Sequence, residues 1–203
     1  MSEPYIDNEM TRSALRDMAG FHKNLCSQFS YWGMEFKSNL GRRNVVMSQA
    51  QEHFFARELS KAFKDVEADG RTGKADIVIG EIDTELECKL TSGNRGSSVS
   101  YSLQTDWETL NNKGKLDYLY VLADTEFEEF AVLLFLGLTP DDFHPPATGS
   151  RGKSRMRKER AMKKCHVLWG SVDCKNEIML ASIQSKRETL LSQLGERIHE
   201  ISN

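Results

Sequence analysis

Long hydrophobic runs are missing from this chain of 203 residues. No apolar stretch approaches the roughly 20 residues that a membrane helix needs, which argues against a membrane protein. The first residues, MSEPYIDNEMTR, have no apolar region behind a basic one, so nothing in them directs the chain to export. A chain of this length can bury one sizeable core. We therefore expect a single cytoplasmic domain over residues 1–203.

Cysteine pairs and nucleophile motifs are also absent. The four cysteines include no Cys-x-x-Cys pair, which argues against a structural zinc site and, in the cytoplasm, against disulfides. The five histidines are scattered, with no Ser-His-Asp order and no glycine-rich phosphate loop. The chain has no internal repeat and no low-complexity segment. We interpret the cysteines as free thiols.

Charge is distributed unevenly along the chain. The net charge is -3, yet the segment RGKSRMRKERAMKK, residues 151–164, holds eight Lys or Arg and one Glu. This local excess of +7 leaves -10 on the remaining residues. A dense basic run with few acids favours phosphate contact, and a solvated helix face or loop is the alternative. We expect a segment of about 147–165 to contact a polyanion.

Helical spacing of apolar residues is clearest in the first third of the chain. A first amphipathic helix is predicted from about Asn8 to Phe29. A second is predicted to begin at a capping box formed by Ser48 and Gln51, whose side chains can satisfy free N–H groups of the first turn. Its predicted buried stripe consists of Phe55, Leu59 and Ala62.

Short apolar runs predict the strands. ADIVIG is rich in β-branched residues, EID is a tight connection, and TELECKL alternates polar with apolar residues, which indicates a strand hairpin. YLYVLA and FAVLLFL are predicted as buried strands, with HVLWGSV and EIMLASI as two more. A helix is expected around SLQTDWETLNN and another after a capping box of Ser185 and Glu188. This order predicts a mixed α/β fold.

The second strand of the hairpin carries charges on one face. Side chains alternate along a strand, so Leu86 and Cys88 face one side while Glu87 and Lys89 face the other. The hairpin brings Asp76 beside Glu87, and two facing carboxylates repel unless a cation or proton lies between them. Mg2+ prefers such oxygen ligands, and a neighbouring lysine can orient or deprotonate a water or neutralise charge on a phosphate. Cross-strand ion pairs on a solvated surface are the alternative.

Asp76, followed eleven residues later by Glu87-Cys88-Lys89, resembles the motif of the PD-(D/E)XK nuclease superfamily, in particular type II restriction endonucleases. The resemblance covers about residues 48–122 and includes the order of the elements. It implies a mixed central β-sheet flanked by helices, with a catalytic core over about residues 48–140. It also implies that Asp76 and Glu87 bind Mg2+ and that Lys89 assists the attacking water. Ala75 stands where the family name has proline, at a position that varies among members.

An acid on the preceding helix completes the implied metal site. Glu52 resembles the accessory ligand that many members of the superfamily carry there, and Glu58 is the second choice. Glu52 also lies in the first turns of the predicted helix, where the helix dipole favours an acid without any functional role. The resemblance therefore implies Mg2+ ligands at Asp76, Glu87 and Glu52.

Two segments are expected to contact double-stranded DNA. One is the polar loop after Lys89, and the other is the basic run, whose side chains can bind phosphates or read guanine. Ordinary surface loops are the alternative for both. The predicted DNA-contacting residues are Asn94, Arg95, Ser97, Arg151, Lys153, Arg155, Arg157, Lys158 and Arg160.

The resulting expectation is a Mg2+-dependent, sequence-specific DNA endonuclease of the type II restriction class. Symmetric DNA sites favour a homodimer, with the first and last helices as candidate interfaces. One alternative is another nuclease of the same superfamily, such as a junction resolvase, a repair nickase or a phage nuclease. A second alternative is a non-catalytic nucleic-acid-binding module in which Asp76, Glu87 and Lys89 form an ion-pair cluster.

Overall fold

Two long helices lie against a β-sheet in this computed structural model, which describes residues 3–69, 74–93, 101–149 and 152–183. Helix α1 spans Asn8–Tyr31 and helix α2 spans Leu40–Ala62. Two shorter helices, α3 and α4, span Trp107–Lys113 and Lys158–Ala161. The prediction of an α/β fold whose mixed central sheet is flanked by helices is confirmed.

The described strands form one large and two small sheets. The strands of the large sheet are β1 (Val66–Ala68), β2 (Ile77–Ile79), β3 (Thr84–Gly93), β5 (Leu116–Asp124), β6 (Glu129–Leu138), β8 (Cys165–Trp169) and β11 (Ala181–Ser182). Its order is β1-β2-β3-β5-β6-β11, with β8 also paired to β6. The small sheets pair β4 (Gln104–Asp106) with β7 (Lys153–Arg155), and β9 (Ser171–Val172) with β10 (Ile178–Met179).

Strand β5 is buried on both faces, as its continuous apolar sequence predicts. Leu119 and Val121 pack into a core that includes residues of α1 and α2. Tyr118 and Tyr120 point to the opposite face and pack into a second core that includes Leu110 of α3. β5 runs parallel to β3 and antiparallel to β6. Each large apolar side chain contributes about 1.5–3 kcal/mol when fully buried, so burial on both faces stabilises β5 in its place. Strand β3 is held beside this central strand by their parallel pairing.

Helix α2 begins earlier than the sequence predicts. Its N-cap is Asn39, whose side-chain oxygen accepts the N–H of Arg42 at 3.0 Å. Ser48 lies within the helix and donates to the carbonyl of Val45 at 2.9 Å. Gln51 is fully buried, and its side-chain amide donates to the carbonyl of Leu119 at 2.9 Å. The predicted capping box is therefore wrong, because Gln51 binds the sheet.

The remaining predictions for the helices and strands have mixed outcomes. The first helix is confirmed, and α2 buries Phe55 and Leu59 as expected. Ala62 is exposed, since it ends the helix beyond the buried stripe, so this part of the prediction is wrong. The helix predicted after Ser185 lies outside the described residues. Within the described ranges, no helix has both the length and the hydropathy to cross a membrane.

Candidate metal centre and nucleic-acid interface

The hairpin of β2 and β3 brings the two predicted acids together. Its antiparallel register pairs Ile77 with Leu86, so Asp76 lies opposite Glu87 at the next position. A short 3-10 turn, Gly80–Ile82, connects the strands, and Asp83 ends it in the left-handed region with φ 48°. Asp tolerates that conformation better than most residues. The local sequence therefore folds into the tight connection that is predicted at EID.

Glu87 and Lys89 form an ion pair on one face of β3. Lys89 Nζ donates to Glu87 Oε1 at 2.5 Å, and the two side chains retain 30% and 10% of their exposure, respectively. The second oxygen, Glu87 Oε2, is buried and has no hydrogen-bond partner among the described residues. A buried acceptor without a donor costs about 1–3 kcal/mol. This oxygen is thus a candidate to bind a ligand.

Asp76 is fixed by the backbone of β3. Its Oδ2 accepts the N–H of Cys88 at 2.7 Å, and its carbonyl accepts the N–H of Asp69 at 3.2 Å. Cys88 itself is buried toward the helices, as the strand alternation predicts. Asp76 is therefore held directly beside the strand that carries Glu87 and Lys89.

Glu52 approaches the same cluster from α2 and is half-buried. Burial, followed by the negative charges of Asp76 and Glu87, raises the pKa of its carboxyl to about 7. The positive charge of Lys89 opposes this shift. Charges affect a pKa in this way only over short distances. The structure therefore brings Glu52 together with the three residues predicted on the hairpin.

Burial dominates the electrostatics of this cluster. It raises the pKa of both Asp76 and Glu87, while the nearby ammonium of Lys89 lowers the pKa of each and only partly offsets the shift. Burial also acts to lower the pKa of Lys89, but the charges of Glu87 and Asp76 outweigh it and the net shift is upward. Lys89 is thus a cation at neutral pH. Because the cluster contains three carboxyl groups and only one ammonium, it favours the binding of an additional cation.

The donor set suits a hard divalent cation. Mg2+ binds one or two protein carboxylates together with waters and phosphate oxygens. Asp76, Glu87 and Glu52 supply carboxylates, and the unpartnered Glu87 Oε2 is an oxygen available for binding. In the part of the chain that the structure describes, no three His, Cys, Asp or Glu side chains form a preformed metal site. The residues therefore fit Mg2+ by their chemistry, with other ligands completing its shell.

A tyrosine that sequence reasoning missed links the cluster to a second sheet. Tyr118 lies beside Glu87 in the parallel pairing of β3 and β5, and its hydroxyl lies 2.7 Å from the Thr105 hydroxyl on β4. Tyr120 donates its hydroxyl to the Gln104 carbonyl at 2.9 Å. The available sequence signal is the Tyr-x-Tyr spacing in YLYVLA, which places both rings on one face. Strand β4 is therefore anchored beside the carboxylates.

The basic segment divides into two groups of side chains. Arg157 donates to the carbonyl of Phe143, and Arg160 and Lys164 form ion pairs with the fully buried Asp142. These residues stabilise the turn that contains Asp142. Lys153 and Arg155 on β7 are exposed, and no ion pair within the described residues engages them; Lys158 is half-buried in α4.

Several predicted residues lie elsewhere or outside the described structure. Glu58 is buried and accepts hydrogen bonds from Ser13 and Lys61, at 3.0 and 2.5 Å, and from Arg57. It joins α2 to α1 and does not belong to the carboxylate cluster, so Glu52 is the better accessory acid. Four predicted DNA-contacting residues lie outside the described residues: Asn94, Arg95, Ser97 and Arg151.

Comparison with known proteins does not identify a family. No protein-family model matches the chain. No curated protein is similar enough in sequence to count as a relative. The resemblance to the PD-(D/E)XK superfamily therefore stays a prediction that depends on the residues and geometry described above.

Proposed function

We propose that this protein is a Mg2+-dependent DNA endonuclease of the PD-(D/E)XK superfamily, acting in the cytoplasm as a type II restriction enzyme. The observation that carries the proposal is the meeting of Asp76, Glu87 and Lys89 on two adjacent strands. Asp76 lies opposite Glu87 by register, and Lys89 Nζ contacts Glu87 Oε1 at 2.5 Å. Glu52 adds a third carboxylate from α2.

The chemistry of these residues suits hydrolysis of a phosphodiester. Glu87, Asp76 and Glu52 would hold Mg2+, which supplies positive charge beside the phosphate. Lys89 carries a second positive charge that can orient a water and stabilise negative charge as it develops on the phosphorus oxygens. The buried environment strengthens both effects, because charges interact more strongly away from bulk water. The exposed cations of β7 supply a surface for the DNA backbone.

A cleavage assay with two matched pairs of variants tests this function. Supercoiled and linear DNA are incubated with the protein in Mg2+ or in chelator. We expect discrete fragments with Mg2+ only. Lys89→Ala and Glu87→Gln are each expected to reduce the cleavage rate by at least about 100-fold, since each removes a charge that acts in the transition state.

Lys113→Ala and Glu85→Gln are the controls. Glu85 lies on the same strand, two residues from Glu87, and pairs with Lys113 of α3 at 2.6 Å. These variants remove the same kinds of charge outside the cluster, so their rates should stay within about threefold of wild type. Full activity of Lys89→Ala would refute its role, and equal loss in all four variants would indicate a general structural effect.

A non-catalytic nucleic-acid-binding module is the second candidate. The ion pair between Lys89 and Glu87 is the observation that favours it, because such a pair can exist without any metal. In that case DNA binding would be the same in Mg2+ and in chelator, and no cleavage would occur.

Another nuclease of the superfamily would cut without a fixed sequence or would require a branched or mismatched substrate.

A further inference from the structure

The small sheet of β4 and β7 is a two-stranded ribbon with distinct inner and outer faces. Its register pairs Gln104 with Arg155 and Thr105 with Ser154. Thr105 and Ser154 are buried, so their neighbours along each strand point to the other face. Gln104 and Arg155 therefore lie side by side on the outer face of the ribbon.

The ribbon is positioned by contacts to the strand beside the carboxylates. The Tyr118 hydroxyl meets Thr105 at 2.7 Å, and Tyr118 pairs in register with Glu87. The N–H of Met156, which follows β7, donates to the carbonyl of Leu103 at 2.8 Å. The buried Phe143 packs against the ring of Tyr118, with centroids 5.9 Å apart. These contacts fix the ribbon relative to the proposed catalytic site.

The outer face of the ribbon carries two exposed cations, Arg155 and Lys153, and Lys153 lies in register with the exposed Asp106. Arg155 and Lys153 are exposed and, within the described ranges, have no ion pair with a carboxylate. By contrast, Arg160 and Lys164 of the same basic segment pair with Asp142. Gln104 donates one amide hydrogen to the Ser102 hydroxyl at 2.7 Å, a contact at the surface. A cation and a carboxamide thus stand together on an exposed edge.

We propose that this ribbon enters the major groove of DNA and that Arg155 and Gln104 read bases there. The inference rests on the proposed function, since it places the bases being read close to the phosphate being cut. The major groove is wide enough for a two-stranded ribbon, as it is for a helix. Arg binds O6 and N7 of guanine through two hydrogen bonds, and Gln binds N6 and N7 of adenine in the same way.

Selection from a pool of duplexes with a randomised centre tests the inference. Binding is measured with Ca2+ in place of Mg2+, because Ca2+ has the same charge and also takes oxygen ligands. We expect the wild-type protein to enrich a short motif. Arg155→Lys keeps the charge but loses the paired guanidinium geometry, so preference at one base pair should fall by about 10–100-fold while overall affinity is retained.

Two further variants separate base reading from simple charge. Gln104→Ala should relax preference at a neighbouring base pair without changing the salt dependence of binding. Lys163→Ala removes an exposed cation outside the ribbon and should leave the motif unchanged. Thermal unfolding monitored by circular dichroism confirms that each variant is folded.

The outcomes distinguish this inference from the proposed function. If Arg155→Lys and Gln104→Ala enrich the same motif as wild type, or if wild type enriches none, the ribbon does not read bases. If both variants alter the motif but wild type does not cut the enriched duplex in Mg2+, base reading is supported and the nuclease proposal fails. Cleavage of the enriched duplex by wild type, together with cleavage at an altered site by Arg155→Lys, would support both.

Discussion

Polar atoms that have no hydrogen-bond partner in the described part of the chain are buried at the candidate site, and their burial costs folding free energy. Among the described residues, five buried side-chain atoms have no hydrogen-bond partner, and they include Glu87 Oε2 and Ser154 Oγ. The first belongs to the carboxylate cluster and the second to the ribbon. Unsatisfied buried groups are rare in folded proteins and call for a reason. A ligand that binds Glu87 provides such a reason at the cluster.

The residue His22 gives a prediction about pH that is independent of the site. It is 2% exposed and stacks on Phe127 with ring centroids 4.7 Å apart. Burial, followed by the positive charges of Arg43 and Lys37, lowers the pKa of its imidazole from 6.5 to about 4, although Glu126 and Asp124 oppose the shift. The folded protein therefore keeps His22 neutral where the unfolded chain already binds a proton.

The stability that neutral His22 contributes is fully present above pH 6.5 and is lost as pH falls toward 4. The loss has an upper limit of about 3 kcal/mol for a shift of this size. We expect the difference in unfolding free energy between wild type and His22→Gln to shrink over this range, as measured by urea denaturation. His53→Gln, at an exposed position, is the control and should follow wild type at every pH. Parallel curves for His22→Gln and wild type would contradict the lowered pKa.

At the scale of elements, the hairpin was predictable because its signal is local. Seven residues that alternate between polar and apolar predict β3. The connection to β2 is so short that it sets the register between the two strands. The start of α2 was not predictable from the Ser48 and Gln51 pattern, because Gln51 makes a tertiary contact to Leu119 and Ser48 donates to Val45 within the helix. The ribbon was missed because its three-residue strands are too short to show alternation and lie far apart in sequence.

The true start of α2 leads to a test by helix capping. Asn39→Ala removes the side-chain oxygen that accepts the N–H of Arg42 and should lower the unfolding free energy by about 1 kcal/mol. Ser48→Ala removes a hydroxyl inside the helix, where Ala has the higher propensity, and should change it by less than about 0.5 kcal/mol. Urea denaturation measures both. A larger loss for Ser48→Ala would restore the capping box as the start.

At the scale of the whole molecule, the basic segment shows what a charge count leaves undetermined. The excess of Lys and Arg predicts a polyanion-binding surface, but Asp142 neutralises part of it through Arg160 and Lys164. That pairing joins residues about twenty apart and cannot be inferred from composition. The exposed cations of β7 are not neutralised in this way, and they lie on the same side of the sheet as Glu87 because Tyr118 and Thr105 meet there.

Exposed apolar side chains gather where α1 leads into α2. Of the eight large apolar residues that are exposed in the described chain, five lie between residues 31 and 45: Tyr31, Trp32, Met34, Leu40 and Val45. Tyr31 and Trp32 are 78% and 71% exposed, and their rings contact each other. Exposed apolar side chains that lie close together are typical of protein interfaces. A second copy is the proposed partner, because the proposed nuclease would need two identical sites to cut both strands of a symmetric DNA sequence.

Sedimentation equilibrium tests this interface. We expect wild type to be a dimer at micromolar concentration, and the double variant Tyr31→Ser, Trp32→Ser to raise the dimer dissociation constant by at least about 10-fold, since buried aromatic residues dominate interface energies. Met179→Ser changes an exposed apolar side chain far along the sequence and should leave the dimer intact. A double variant that dimerises like wild type would exclude this end of α1 as the interface. A wild-type protein that stays monomeric, with and without DNA, would contradict the homodimer itself and would require cleavage of the two strands in separate binding events.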